Sequence, residues 1–522
     1  MTRKLAFPLS FSATLRNLAL AGLLLPITAC TTSTFHDDGN GSEKRVFSVT
    51  LKNLSERYIE PIQAGRLMVK GLGRLASIDD RLAVLQRDGS IAVTFDGHAV
   101  AEYPAPDMNR IAAWSSLGAT VLRDARAASA TIESQSKDEI YRSVLPGLIS
   151  GLDRYSRYLP PEDARRSRAT RDGFGGIGVT LEAVDGEFVI RRIVTDQPAA
   201  EAGLMENDRI THIDGKSLLG LPLKQVINLL RGDIGDAVHL TVSRDTAPKP
   251  LSKNVVRDHI VPASVTARQN GNILEIELSI FNQGTVGAVR KAVVKAVREQ
   301  GSGLTGIVLD LRNNPGGLLD QAISVADLFM NRGRIVSTEG RHTDSNQIFD
   351  ATPGQVLEGM PIVVLINGRS ASAAEIVAVA LRDSGRAAIV GSSSYGKGTV
   401  QTIIRLPNRG EMNVTWARIV APTGQTLASQ GIVPAICTNL PADAFNTLRT
   451  QLKNTDRTPE ITDRPIFATQ ARLPHYSSVR RASCPPSRIA QKGDMEIARL
   501  LLANRRVYAA AVAHPAPNIA KR

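Results

Sequence analysis

The stretch NGRSASAAEI, residues 367–376, places Ser370 and Ser372 two positions apart in a run of small residues, directly behind the apolar segment 361–366. A serine at a turn between a strand and a helix exposes its hydroxyl, and the next amide can stabilise the oxyanion that forms when that hydroxyl attacks a carbonyl. Ser372, followed by Ala373, stands where such a turn would fall, and Ser370 is the competing candidate. A second source of amides is DLRNNPGG, residues 310–317, which leaves a strand, turns sharply and opens a helix. There Gly316 or Gly317 can present N–H groups at a helix N-terminus.

A nucleophilic serine needs a base. The eight histidines, at 36, 98, 212, 239, 259, 342, 475 and 514, all lie outside these stretches. A serine–histidine–aspartate triad is therefore unpromising, and GRSAS is not the G-x-S-x-G elbow. Lysine is the other choice. In SSSYGKGTVQ, residues 392–401, Lys397 is the single charge, set between two glycines. Desolvation there lowers an amine's pKa and leaves it neutral enough to take a proton. Gln401 follows four residues on, and if the stretch is extended the two side chains share a face, so that Gln401 orients the amine. Ser134-x-x-Lys137 has a serine–lysine spacing too, but its partner motifs are missing and it reads as a solvated helix start.

These groups need a scaffold. Residues 301–436 alternate apolar strands with helical periods over 318–331 and 372–384, which predicts a layered α/β domain. Residues 173–267 instead alternate short β-rich runs around one helix, 223–230. In that compact module the glycines of Gly176, Ile177, Gly178 and Val179 let successive N–H groups converge, and the strand that follows offers an open edge to an extended peptide. A small β module that packs on its neighbours and binds nothing fits the same pattern. Upstream, apolar residues recur at helical spacing over 46–75, 109–130 and 138–152, with Pro61 interrupting the first. Between them 82–104 alternates apolar and polar residues, with Asp88-Gly89 and Asp96-Gly97 at turn positions, as in an antiparallel meander.

With 522 residues, 43% of them hydrophobic, the chain is too long for one ordinary core. Its net charge of +13 comes without any basic tract of five or more residues and with only 4% aromatics, so a nucleic-acid platform is disfavoured. Arg3 and Lys4 precede an apolar run, 18–27, too short to span a bilayer, and residues 1–29 read as a signal peptide. Ile27-Thr28-Ala29-Cys30 resembles the lipobox of bacterial lipoproteins, which implies lipidation of Cys30 and a membrane anchor facing the periplasm. Thr31 in place of an aspartate leans the resemblance towards the outer membrane. Residues 31–44 read as a polar tether. In an oxidising compartment Cys437 and Cys484 are a candidate disulfide, with two separate buried thiols as the alternative.

Two further resemblances are specific. Pro198-Ala199-Ala200, Ala202-Gly203-Leu204, Asp208-Arg209-Ile210 and Ile213-Asp214-Gly215 resemble the PDZ domains of bacterial proteases, and 176–179 matches the loop that receives a peptide's terminal carboxylate. SASAAEI (370–376), RDSGRA (382–387), GKGTVQ (396–401) and 310–317 resemble the C-terminal processing peptidases, serine endopeptidase family S41. That resemblance, running from about 45 to about 436, implies Ser372 as nucleophile, Lys397 as base and Gln401 as the third member. It further implies an oxyanion hole from Ala373 with Gly316 or Gly317, no metal or cofactor, and protein substrates with apolar C-termini. A helical-repeat lipoprotein adaptor and a homo-oligomer also occur in the family. The fold implied is α/β (α+β), a ClpP/crotonase-like layered core with an inserted β-rich PDZ domain and a helical N-terminal region. The sequence departs from the family at Arg154-Tyr155, where a Pro-His pair is common, and at Ala374, where a third serine is.

The organisation expected is therefore signal peptide 1–29, tether 30–44, helical region 45–170, PDZ domain 171–267, catalytic core 268–436 and C-terminal extension 437–522. The expected activity is that of a serine endopeptidase. A catalytically silent PDZ scaffold and a hydrolase of non-peptide esters are the alternatives.

Overall fold

The computed structural model describes residues 41–453, 481–482 and 484–512, so the leader and Cys30 lie outside the described residues. The tether expectation needs one correction. Gly41–Arg57 is a helix that buries Glu43 in its first turn and Val46 and Phe47 in its second, and Glu43 pairs with Lys137 at 3.2 Å. Residues 41–44 are thus held in place by apolar burial and an ion pair.

The catalytic region is built on a six-stranded sheet in the order Val265–Asn270, Ile273–Leu278, Gly306–Asp310, Ile362–Ile366, Ala387–Gly391, Ile436–Cys437. Its first pair is antiparallel and the rest are parallel. GIVLD, IVVLI and AAIVG are continuous apolar runs because both faces of a parallel sheet are covered. Alternate residues serve different layers. Ile307, Leu309, Val364 and Ile389 face helices Thr285–Gln300, Leu319–Asp327 and Ala373–Asp383, while Val308, Val363, Leu365 and Val390 pack with Leu448, Leu452, Ile497 and Leu501. The latter belong to Ala442–Lys453 and Asp494–Ala503, beyond the expected end of the core. Helices of the segment read as an extension form the third layer of the sandwich, and Cys437 is already a strand residue. Likewise residues 265–267, placed with the PDZ module in the sequence reading, begin Val265–Asn270, the edge strand of this sheet.

A second sheet begins just after the lysine. Its order is Gln347–Asp350, Arg334–Glu339, Glu411–Val420, Thr399–Arg405, with Arg157–Leu159 paired to the start of the long strand. Ile404, Leu406, Met412 and Val414 at the end of this hairpin join Phe47, Leu51, Trp114 and Leu145 in the core of the N-terminal helices. The hairpin therefore spans two hydrophobic cores, because Val400 and Ile419 at its other end pack into the core of the main sheet. The N-terminal helices, Ala64–Gly73, Ile111–Ala128 and Lys137–Ile149 among them, enclose the meander Leu82–Arg87, Ser90–Phe95, His98–Pro104 at the turns expected.

The inserted module has its own core around Phe188, Ile190, Ile210, Val226 and Leu240. Val179–Val184 is the edge strand of its sheet, beside helix Leu223–Leu230. The neck between module and core is the short pair Phe174–Gly176 and Asp258–Ile260. No helix among the described residues is long and apolar enough to cross a membrane.

Candidate active site

Ser372 stands at the N-cap of helix Ala373–Asp383 with φ 56°, a positive angle that a residue with a Cβ adopts only where its surroundings enforce it. What enforces it is Glu375. Its side chain is fully buried and accepts four hydrogen bonds: from Ser372 N–H (2.8 Å) and Lys397 N–H (3.0 Å) on one oxygen, and from Ser394 Oγ–H (2.5 Å) and Gly396 N–H (2.7 Å) on the other. Burial pushes this carboxyl up from the ordinary carboxylate range, and the donors work against that shift. One carboxylate thus fixes the backbone at both the serine and the lysine. Sequence reading missed it, although a serine followed three residues later by glutamate at a helix start is the capping-box spacing.

The two serines are now distinguished. Ser370 is fully buried, its hydroxyl donating to Leu311 O (2.8 Å) and accepting from Asn367 N–H (2.9 Å). Ser372 instead lines a cleft of about 1030 Å³ together with Lys397, Gln401, Ala373, Gly316 and Gly317.

Lys397 is not part of the strand that follows. It lies in the loop before Thr399–Arg405, between Gly396 (φ 83°) and Gly398 (φ 55°), left-handed positions that suit glycine and turn the chain on either side of the lysine. Burial lowers its pKa to about 8, with a further push from Arg157, while Glu375 and Asp153 pull the other way. Among the described residues its Nζ has no hydrogen-bond partner, and it lies 5.6 Å from the centre of the Tyr155 ring.

Gln401 differs from expectation. Its amide donates to Thr399 (2.9 Å) and Thr415 (3.3 Å), not to Lys397. The shared-face reasoning fails because Lys397 precedes the strand and because a register shift falls between Val400 and Gln401.

The oxyanion donors can also be separated. Gly316 N–H is taken by the buried Asn314 Oδ1 at 2.8 Å, whereas Gly317 N–H and Ala373 N–H have no partner among the described residues. Gly316 contributes by having no side chain: a Cβ there would sit 2.8 Å from Ser372 Cβ and 3.1 Å from Ala373 N. Asn314 also donates to Leu278 O (2.7 Å), and Asn313 and Asn367 exchange hydrogen bonds at 3.0 Å, so the loop is tied to both neighbouring strands. Arg312 adds a link from Asp310 (2.8 Å) to Asp494 (3.1 Å) of the third layer.

Behind the lysine loop runs the segment 484–491. Ser393 Oγ–H donates to Cys484 O (2.6 Å), and Ser487 bonds Ser392 and Gly368. Cys437 and Cys484 are disulfide-bonded, with their Cα atoms 5.8 Å apart.

In the inserted module the Ile177 and Gly178 N–H groups have no partner among the described residues, while their carbonyls accept from Ala199 and Val194. Gly176 ends the neck strand and Val179 begins the edge strand. Helix Pro161–Arg171 lies between module and cleft. Its Glu162 meets Lys224 of the groove helix, its Asp163, Arg166 and Thr170 line the cleft, and Arg168 and Arg171 pair with buried Glu411 on the long strand.

Residues 272–438 match the model of peptidase family S41, and residues 189–244 match that of the PDZ domain. A carboxy-terminal-processing protease of Bartonella bacilliformis is 40% identical over 306 residues, 58% of this chain and 70% of that protein. A Staphylococcus epidermidis protein named as a CtpA-like serine protease is 32% identical over 314 residues, 59% of this chain and 62% of that one. Among solved structures, a photosystem II D1 C-terminal processing protease covers 75% of this chain and 92% of its own at 23% identity, with a TM-score of 0.38.

Proposed function

Because the chain belongs to peptidase family S41, as a carboxy-terminal-processing serine protease with a PDZ domain, we propose that it captures polypeptides by their C-terminal tails and cleaves them with Ser372 and Lys397. The tail's carboxylate is received by the Ile177 and Gly178 amides, and the tail adds to the open edge of Val179–Val184. In the cleft Lys397, neutral in a substantial fraction of molecules near pH 8, takes the Ser372 proton as Oγ attacks a peptide carbonyl. Ala373 N–H and Gly317 N–H hold the oxyanion. Lys397 then gives the proton to the leaving amine, and water, deprotonated by the same lysine, releases the acyl group. Gln401 supports the strand through Thr399 and Thr415 in this arrangement and reaches Lys397 only if the loop rearranges.

The observation that carries this reading is the Glu375 carboxylate, which ties the serine and the lysine to one buried anchor and leaves two amides unbonded beside the serine. Helix Pro161–Arg171, touching the groove helix on one side and lining the cleft on the other, is the route by which an occupied PDZ groove would act on the site. We place the enzyme at the periplasmic face of a membrane, anchored through Cys30. Fractionation of a Cys30→Ala variant into the soluble periplasm would support that placement, and unchanged membrane association would refute it.

The test is cleavage of an unfolded reporter with a free apolar C-terminus by wild type, Ser372→Ala and Lys397→Ala. Loss of at least about a thousandfold in both variants is expected. Persistent activity in Ser372→Ala would overturn the assignment, and wild-type silence even in periplasmic extract would favour a binding scaffold.

A further inference from the structure

The cleft is more basic than the chemistry requires. Besides Lys397 it is lined by Arg154, Arg157, Arg166 and Arg171, against two carboxylates, Asp163 and Asp320. Two of the arginines are accounted for: Arg166 reaches Glu162 at 3.3 Å, and Arg171 is tied to Asp172 at 2.8 Å and to buried Glu411 at 3.5 Å. Arg154 and Arg157 have no carboxylate partner among the described residues.

Arg154 is nevertheless held in position by aromatic side chains. Arg154 donates to Tyr155 Oη at 2.7 Å, and its guanidinium lies 4.9 Å from the Tyr155 ring centre and 5.8 Å from that of Tyr395. Stacking on aromatic faces restricts a guanidinium and leaves its N–H fork free for an anion. Arg157 sits on the short strand Arg157–Leu159, in register with Asn413 of the long strand. Arg154 and Lys397 thus meet on the Tyr155 ring, and Arg157 lines the same cleft with its charge acting on Lys397.

Their side of the cleft follows from the reaction. The group that protonates the departing amine must lie on the leaving-group side of the scissile bond, and that group is Lys397. An extended substrate that leaves Ser372 past Lys397 would run over Tyr155 and meet the two guanidiniums.

We propose that Arg154 and Arg157 form an anion-binding subsite on the leaving-group side, which takes a carboxylate within the first few residues after the scissile bond. The carboxylate comes either from an Asp or Glu side chain or from the free terminus of a short tail. Planar guanidiniums suit a carboxylate by paired N–H donation. This rests on the serine-protease reading above and deepens it by naming the substrate class.

Internally quenched peptides with common residues before the scissile bond test it. One set carries Glu, Gln or Lys at each of the first three positions after the bond; a second set ends there in a free carboxylate or in an amide. Rates are read on the alkaline plateau, as ratios within each variant, so that any change in Lys397 titration cancels. Wild type should prefer Glu over Lys at one position by about tenfold at low salt, falling as salt rises. Arg157→Gln and Arg154→Gln should each reduce that ratio, and the double variant should bring it within about twofold of unity. A preference confined to the second set assigns the subsite to the chain terminus. Equal cleavage of all peptides by wild type, or a Glu preference that survives the double variant, overturns the proposal.

The same peptides titrated against Ser372→Ala by fluorescence anisotropy read binding without turnover. Tighter binding of the acidic peptides, lost in the double arginine variant, supports the subsite even if wild type cleaves none of them, which would count against the peptidase reading alone. Equal binding of acidic and basic peptides sinks the subsite on its own.

Discussion

Two loops of this chain offer unbonded backbone amides to an anion, and they are held very differently. Beside Ser372, Gly317 and Ala373 are framed by three buried side chains: Asn314 on Gly316 N–H, Asn367 on Asn313 N–H, and Glu375 on Ser372 N–H. In the PDZ module, Ile177 and Gly178 are framed by carbonyl contacts to Ala199 and Val194 and by an edge strand open on one side. In the proposed reaction the first loop meets a charge that exists only in the transition state, so its donors have to be in place beforehand. In the same proposal the second meets a stable carboxylate, and the arriving peptide supplies the missing strand itself. Buried polar side chains brace the loop to which the proposal gives a transient anion.

The comparison breaks most visibly at Glu375. Replacing it by Gln keeps the volume but puts an NH2 against donors that need an acceptor, leaving buried N–H groups unpaired at a cost of about 1–3 kcal/mol each. Glu375→Gln should lower kcat by about a hundredfold or more, with KM within about threefold and the affinity for a tail peptide unchanged. Kinetics on the tailed reporter, alongside anisotropy with the isolated tail, separate these. Equal loss of peptide affinity would mean that the carboxylate supports the whole molecule and not the catalytic loop in particular.

The sequence spacing was enough for the elements and for singling out Ser372 and Lys397, which the fold brings to one cleft. Apolar periods located the helix behind Ser372, the meander 82–104 and the groove helix Leu223–Leu230, because each is a local pattern read by one packed face. What escaped depends on long-range pairing. That Gly316 is spoken for and Gly317 free is decided by Asn314, whose Oδ1 could as readily have faced solvent. Gln401 turned away from Lys397 because of a register shift that no residue type announces. The third layer was missed since Leu448, Leu452, Ile497 and Leu501 have no partner until the strands bearing Val308 and Leu365 are assembled. Cys437 and Cys484 were open between a disulfide and two thiols until strand Ile436–Cys437 and the segment behind Ser393 brought them together.

Proton dependence sharpens the contrast. Lys397 must be neutral to act as base, and burial together with Arg157 lowers its pKa to about 8, against the pull of Glu375 and Asp153. The catalytically competent form therefore disappears as pH falls through that value. The kcat/KM of the free enzyme should rise about tenfold per pH unit below about 8 and level off above it. Arg157→Gln removes a cation beside the amine, so the inflection should move to higher pH. Binding at the PDZ loop uses backbone amides that do not titrate, and affinity for a tail peptide should stay within about twofold over the same range. A pH profile of kcat/KM that is flat between about 6 and 9 would remove Lys397 from the role of base.

The smallest effect is expected at Gly178, and it tests the other loop. Gly178 has φ 80°, and a Cβ there would lie 2.6 Å from Gln197 Cβ. An alanine must therefore shift the loop or strain it, at about 1–2 kcal/mol, part of which appears as misdirected amides. Gly178→Ala should raise KM for the tailed reporter by about fivefold while kcat, and cleavage of a short untailed peptide, stay as in wild type. That split is the signature of a loop that only captures. If cleavage of the untailed peptide falls equally, the PDZ loop reaches the reacting atoms through helix Pro161–Arg171 even without a ligand, and the division of labour between the two amide sites would have to be given up.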